Sequence, residues 1–253
     1  MQEAPCAAVR GDYSSKRNGE RLNQLKDGAE EWGLSFSAHT LKKFSCFEEM
    51  LYETNLTMNL TRVSRPDSEI LHFLDSLALL SLHKPSAGAR LLDVGTGAGF
   101  PGLPLALALP ELEVTLLDGT LKRLKFLDQV IERLELRNVR TLQGRAEEIA
   151  NHPKHKGCYE IVVARAVAKM DVLSGLLLPL VAPGGIAVAY KSSEVEDELA
   201  EAMTAMEKFG GKLEQVAEIG LPGCDIVRKL VVIRKLGSPS SPPKRPGKRE
   251  RKE

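Results

Sequence analysis

The sequence is short of the features that mark specialised protein classes. Four cysteines are spread over 253 residues, at Cys6, Cys46, Cys158 and Cys224, and none forms a CxxC pair. That spacing excludes a disulfide framework and points to a reducing, cytoplasmic compartment. No apolar run approaches the roughly 18 residues that a membrane span needs. The polar start, MQEAPCAAVRGDYSSKRNGE, has no apolar core of a secretory signal. Neither a GxSxG elbow nor a phosphate-binding P-loop occurs. The loop NHPKHKGC brings His152, His155 and Cys158 close in sequence, but it lacks a fourth ligand at zinc spacing. No metal is therefore expected.

Charge is also nearly absent in net terms, with 35 Lys+Arg against 34 Asp+Glu and a formal net charge of +1. Its distribution is uneven. Residues 237–253, GSPSSPPKRPGKRERKE, carry six basic and two acidic residues, a net of +4, which leaves −3 for the rest. At 43% apolar and 27% charged, the composition is that of an ordinary globular protein. The length suits one large domain or a domain with an added lobe.

Along the chain, residues 1–20 read as a disordered lead and 21–84 as a helical lobe. Leu22, Leu25, Ala29 and Trp32 recur at helical spacing, as do Leu41, Phe44, Phe47 and Leu51. A third helix is predicted from Arg65, where Pro66, Asp67 and Glu69 suit a first turn. From residue 89 to 236 short apolar runs alternate with amphipathic stretches. Strands are predicted at 89–94, 112–118, 139–143, 159–165, 185–191, 212–220 and 228–236. Helices are predicted at 101–109, 120–136, 145–150, 169–180 and 194–209. On the helix at 120–136, Leu121, Leu124, Leu127, Ile131 and Leu134 form one apolar face. This pattern predicts an α/β fold with a mostly parallel sheet covered on both sides. The linker LPGCD (221–225) leaves no room for a helix, so the last two strands should form a terminal antiparallel hairpin. Residues 85–236 are thus the expected core, and 237–253 a basic disordered tail.

The segment LLDVGTGAGFPG (91–102) runs from an apolar strand into Gly95, Gly97 and Gly99. Glycines permit a sharp turn and close approach of a ligand, and the following helix start favours negative groups. A dinucleotide and S-adenosylmethionine both fit such a turn. Gly97 to Gly102 matches GxGxxG literally, but the strand ends near Val94, so the first glycine should be Gly95. Read from Gly95, the pattern is GxGxG preceded by Asp93, the form associated with S-adenosylmethionine. Asp118, at the end of the second strand, is placed to accept ribose hydroxyls in either case, or to cap the helix near Thr120.

Several separated motifs resemble one family. They are NLT (59–61), HFLDSLALL (72–80), LDVGTGAGFPGLPLA (92–106), LLD with KR (116–118 and 122–123), GRAEE (144–148), ARAVA (164–168), LVAPGG (180–185), AYK (189–191) and RKLVVI (228–233). In this order and spacing the chain resembles, over about residues 37–236, the bacterial 16S rRNA guanine-N7 methyltransferases of the RsmG or GidB type. The resemblance implies a class I (Rossmann-like) methyltransferase core with a helical N-terminal lobe, and S-adenosyl-L-methionine as cofactor. It places Gly95 and Phe100 on the methionine and sulfonium side, Asp118 on the ribose, Ala146 and Glu147 beside the adenine, and Arg165 facing both cofactor and guanine. Asp93, Gly97, Gly119 and Thr120 complete the expected cofactor set. Gly119 and Thr120 stand where the family usually has Ser and Leu. Lys229 stands where a histidine is common.

The implied partner is 16S rRNA or the small ribosomal subunit, with no membrane and no stable protein partner. Guanine N7 already presents a lone pair, so the chemistry needs alignment rather than a general base. No certain catalytic residue is therefore named, and Arg165 is the candidate for orienting guanine. Candidate substrate contacts are His72 and Asp75, which share a helix face, Lys122 and Arg123, Lys191 at a strand end, and Lys244 and Arg245 in the tail. The alternatives are a class I methyltransferase acting on a small molecule or a protein, and a non-enzymatic RNA-binding module.

Overall fold

The structure, a computed structural model, describes residues 22–237 except 166 and 192–194. Two helices open it, α1 (Asn23–Glu31) and α2 (Ala38–Met58). Ser37 caps α2, its Oγ accepting the Thr40 N–H at 3.1 Å. The start of α1 has no cap of its own. Instead Glu69 reaches across, and its Oε2 accepts the Leu25 N–H at 2.9 Å.

The third helical segment is less regular than its sequence predicts. It begins as a 3-10 turn (Arg65–Asp67), widens to a π-helix (Glu69–Leu74), tightens to a short α3 (Asp75–Leu77) and ends as a 3-10 turn (Ala78–Ser81). The π stretch buries Ile70, His72, Phe73 and Leu74 together. Helical spacing of three and four residues cannot reveal that widening.

The core is a seven-stranded sheet made of β1 (Arg90–Val94), β2 (Glu113–Asp118), β3 (Val139–Gln143), β4 (Tyr159–Arg165), β5 (Val181–Lys191), β6 (Gly211–Gly220) and β7 (Val227–Lys235). The strand order is β3-β2-β1-β4-β5-β7-β6. The first five strands are parallel, and β7 runs antiparallel between β5 and β6. The fold class is therefore the expected one. The predicted hairpin forms, with β6 at the edge and β7 inside. One boundary moves: β5 begins at Val181, because Val181 pairs with Tyr159 before an irregularity in register. Pro183 and Gly184 hide this short extension in the sequence.

Neighbouring residues on the central strands serve opposite cores, which is why the strands read as unbroken apolar runs. Leu91 and Val163 pack with α1, α2, α4 (Gly102–Ala108) and α5 (Leu121–Arg133). Leu92 and Val162 pack with α6 (Ala146–Asn151), α7 (Met170–Leu177) and α8 (Glu196–Lys208). On α5 the apolar face starts at Leu124, whereas Leu121 is 49% exposed. Among the described residues no helix is long and apolar enough to cross a membrane.

Candidate active site

Strand order reverses between β1 and β4, and a crevice opens at the carboxyl ends of the strands. The chain leaves β1 through Gly95, Gly97 and Gly99, whose φ angles are +70°, +59° and +102°. Such angles strain any residue with a Cβ. Space is as restrictive at Gly95, where a Cβ would lie 2.9 Å from Val167 Cγ2.

Two aspartates hold this turn, in different ways. Asp93 is fully buried below it. Its Oδ2 accepts the Thr96 hydroxyl at 2.6 Å and the Gly102 N–H at 2.8 Å, which fixes the turn to the start of α4. Asp93 Oδ1 has no partner among the described residues. Burial pushes the Asp93 carboxyl up to about 6, against the opposing pull of the Thr96 and Gly102 bonds. Asp93 thus braces the turn from beneath and does not line the cleft. Gly102 is part of this brace: a Cβ there would lie 2.4 Å from Leu116 Cδ2.

Asp118, at the end of β2, faces the cleft. Its Oδ2 accepts the Gly97 N–H at 3.0 Å, and its Oδ1 accepts the Thr120 N–H at 2.8 Å. One carboxylate therefore ties the glycine turn to the start of α5. Arg123 Nη1 approaches Asp118 Oδ2 at 3.4 Å from the solvent side. Each carboxylate oxygen has two acceptor positions; Gly97 and Arg123 take both on Oδ2, and Oδ1 keeps one for a hydroxyl donor.

The cleft has a volume of about 290 Å3. Gly95, Asp118, Gly119, Thr120, Ala146 and Glu147, named from sequence as candidate cofactor residues, line it, as do Arg123, named as a candidate substrate contact, and Val94, Leu117, Gly144, Arg145, Val167 and Leu176. Arg145 was not singled out by sequence, although GRAEE contains it. Its stem lies against Gly119, where a Cβ would meet Arg145 Cδ at 3.4 Å. The positive-φ turn, a carboxylate with an open acceptor position and the acidic first turn of α6 together fit a nucleoside carrying a cationic tail.

A second cluster lies where the irregular helix meets β4 and β7. Asp75, 1% exposed in its side chain, receives Arg165 Nη1 on Oδ2 at 2.8 Å and Arg228 Nε on Oδ1 at 2.9 Å. Arg165 also donates to the Leu71 carbonyl at 3.3 Å. Its guanidinium lies 5.1 Å from the centroid of Phe100. His72 stacks on the same ring, with centroids 4.2 Å apart and planes 6° apart. His72 Nε2 meets Thr61 Oγ1 at 2.7 Å. Burial, with the Arg165 charge adding to it, pushes His72 down to about 3, so the ring is neutral.

The structure thus brings His72, Asp75, Phe100 and Arg165 together, beside the glycine turn and apart from the residues that line the cleft. Arg228 completes the group and was missed, since a partner 153 positions away leaves no local signal. Lys191 also lies apart from the cleft lining. Its Nζ donates to Ala168 O at 2.8 Å and to Glu198 Oε2 at 2.7 Å. Lys122 is exposed on α5. Lys244 and Arg245 lie outside the described residues. His155 Nδ1 meets the Tyr159 hydroxyl at 2.8 Å, and Cys158 Sγ donates to Lys156 O.

Comparison with known proteins agrees with this geometry. The family profile described as rRNA small subunit methyltransferase G matches residues 40–227. "Ribosomal RNA small subunit methyltransferase G" of Lachnoclostridium phytofermentans is 44% identical over 223 residues, covering 87% of this chain and 92% of that protein. The protein of the same name from Acetivibrio thermocellus is 42% identical, covering 88% and 93%. Among solved structures, a SAM-dependent methyltransferase from Aquifex aeolicus aligns with a TM-score of 0.52 at 17% identity, over 68% of this chain and 94% of that one. That likeness shows the shared fold. The glycine turn, the two aspartates that hold it and the ordered motifs around them are thus those of a family match spanning most of the sequence, and the chain belongs to the rRNA small subunit methyltransferase G family.

Proposed function

We propose that this protein transfers a methyl group from S-adenosyl-L-methionine to N7 of a guanine in 16S rRNA, in the cytoplasm. The observation that carries the reading is the glycine turn closed by Asp118 at the mouth of the cleft. The cofactor supplies an electrophilic methyl group on a sulfonium. The chain's own residues supply position and charge. The backbone at Gly95 and Gly97 leaves room for close approach, and Asp118 offers an acceptor to a ribose hydroxyl. Ala146 and Glu147, at the start of α6, also line the cleft.

Guanine N7 attacks with its own lone pair, so these residues have to align it rather than remove a proton. Arg165 is the residue assigned to that alignment; a guanidinium held by Asp75 and by the face of Phe100, beside the glycine turn, supports the assignment. The guanine has to be presented unstacked, because N7 in an A-form helix lies in a deep, narrow groove. Arg123 and Lys122, exposed on α5, offer phosphate contacts, and the basic sequence of residues 237–253 adds positive charge for the same purpose.

The test is methyl transfer from labelled cofactor to small ribosomal subunits, or naked rRNA, that lack the modification, with the product mapped. Label on a guanine N7 is the expected result. Label that persists after ribonuclease treatment of the substrate would move the activity to another substrate class. No transfer to any guanine N7 would refute the proposal.

A further inference from the structure

Lys191 ends β5 at the rim of the crevice, where a free ammonium would be expected to meet substrate phosphate. Its surroundings argue for another role. The side chain is only 14% exposed, and its Nζ is engaged by two oxygens of the chain itself. One is the carbonyl of Ala168, at 2.8 Å, and the other is Glu198 Oε2, at 2.7 Å. The same Glu198 oxygen accepts the Met170 N–H at 3.1 Å. One lysine and one glutamate therefore grip a single short stretch by a carbonyl at one end and an amide at the other.

The gripped residues, 168–170, lie in the connection from β4 to the first residue of α7 and directly follow Val167. Val167 forms one wall of the cleft, directly over Gly95. It is 38% exposed. Backbone in such a connection keeps one conformation only if its polar groups are anchored. The anchors here come from two other elements, the end of β5 and the first turns of α8.

We infer that the Lys191–Glu198 pair is a positioning device that sets the Val167 wall over the glycine turn, and that Lys191 acts on the cofactor cleft through this wall rather than on RNA. The inference rests on the proposed cofactor cleft. Val167 has to stay close enough to cover a ligand in the turn, and far enough to admit it. An ion pair with two backbone contacts meets that requirement better than packing alone, because hydrogen bonds fix direction as well as distance.

The experiment uses the full chain and three variants, Lys191→Met, Glu198→Gln and the double variant. Affinity for S-adenosylmethionine is measured by calorimetry without RNA, and amide exchange is measured over residues 167–172 without ligand. Both single variants should weaken cofactor binding about tenfold and speed exchange in this stretch, with an unchanged thermal midpoint. The double variant should be no worse than either single one, since both remove the same clasp. In turnover assays the cofactor KM should rise while kcat stays nearly constant. The salt slope of RNA binding should not change.

Unchanged cofactor affinity in Lys191→Met, with an RNA salt slope reduced by about one, would overturn the inference and make Lys191 a phosphate contact. Faster exchange with unchanged cofactor affinity would also overturn it, since the stretch would then be loosened without consequence for the cleft. Glu198→Gln keeps an acceptor for Met170, so it tests the ion pair if Lys191→Met fails to fold. If the unaltered protein binds no S-adenosylmethionine, the functional reading fails first, and unchanged exchange in the variants would separately dispose of the clasp.

Discussion

Replacing Asp75 with alanine removes one side chain and leaves two cations without their partner. Asp75 is buried, and it is the meeting point of Arg165, 90 positions away, and Arg228, 153 positions away. The guanidiniums are 18% exposed in their side chains, so water reaches them only in part. Breaking a buried pair at one end typically costs about 3–5 kcal/mol, mostly because the remaining charge stays desolvated. Partial exposure places Asp75→Ala near the lower end, at about 3 kcal/mol. For a chain of this size that corresponds to roughly 6–12 °C in thermal midpoint. Asp75→Asn keeps one acceptor oxygen and should lose about half as much. Urea titrations of both variants, with the slope checked for constancy, give the comparison. A loss below about 1 kcal/mol for Asp75→Ala would refute the reasoning. It would mean that the arginines find water or other acceptors without cost. The Asp75→Ala, Arg228→Ala double variant should recover part of the loss, because only one guanidinium then remains unmatched.

Other outcomes follow from the site. Gly95→Ala should abolish measurable cofactor binding by calorimetry, since it joins a positive φ to a 2.9 Å approach to Val167; unchanged affinity would place the ligand elsewhere. Gly102→Ala should destabilise the protein by about 1–3 kcal/mol through overpacking against Leu116, read from urea midpoints. His72 is held near 3 in the fold against 6.5 in the unfolded chain, so its contribution is present above 6.5 and lost as pH falls towards 3. Stability should therefore drop by about 1.5–2 kcal/mol between pH 6.5 and 5 from this residue, and His72→Gln should flatten that limb. Asp93 acts in the opposite direction: raised to about 6, it contributes stability at low pH that is lost as pH rises through 6. Removing residues 237–253 should weaken RNA binding and flatten its salt dependence in filter-binding titrations.

The sheet and the cofactor turn were legible because their signals are local. Unbroken apolar runs such as Leu91-Leu92 reflect burial on both faces, and Gly95, Gly97 and Gly99 stand where the backbone needs positive φ. Asp118 was legible too, and it both faces the cleft and caps the approach to α5. The roles that stayed hidden depend on which way a side chain points, which residue spacing does not reveal. Nothing near Asp93 in sequence says that its carboxylate points down onto Thr96 and Gly102 rather than into the crevice. Nothing near Lys191 announces Glu198 or Ala168 as its partners. The π-helical stretch over Glu69–Leu74 was read as ordinary helix, since its buried set differs from an α-helical stripe by a single widened turn.

The position of β7 bears on how the chain can be made. It is the last of the seven strands in chain order, yet it sits inside the sheet, paired on one side with β5 and on the other with β6. It also delivers Arg228 to Asp75. While the chain is still being synthesised, at roughly 5–20 residues per second, β5 presents an unpaired edge, and Asp75 can pair with Arg165 but still lacks Arg228 on its second oxygen. Both are satisfied in one step when β7 arrives. A stop codon just before residue 227 would thus remove an interior strand, whereas one just after residue 237 would leave every strand pair intact.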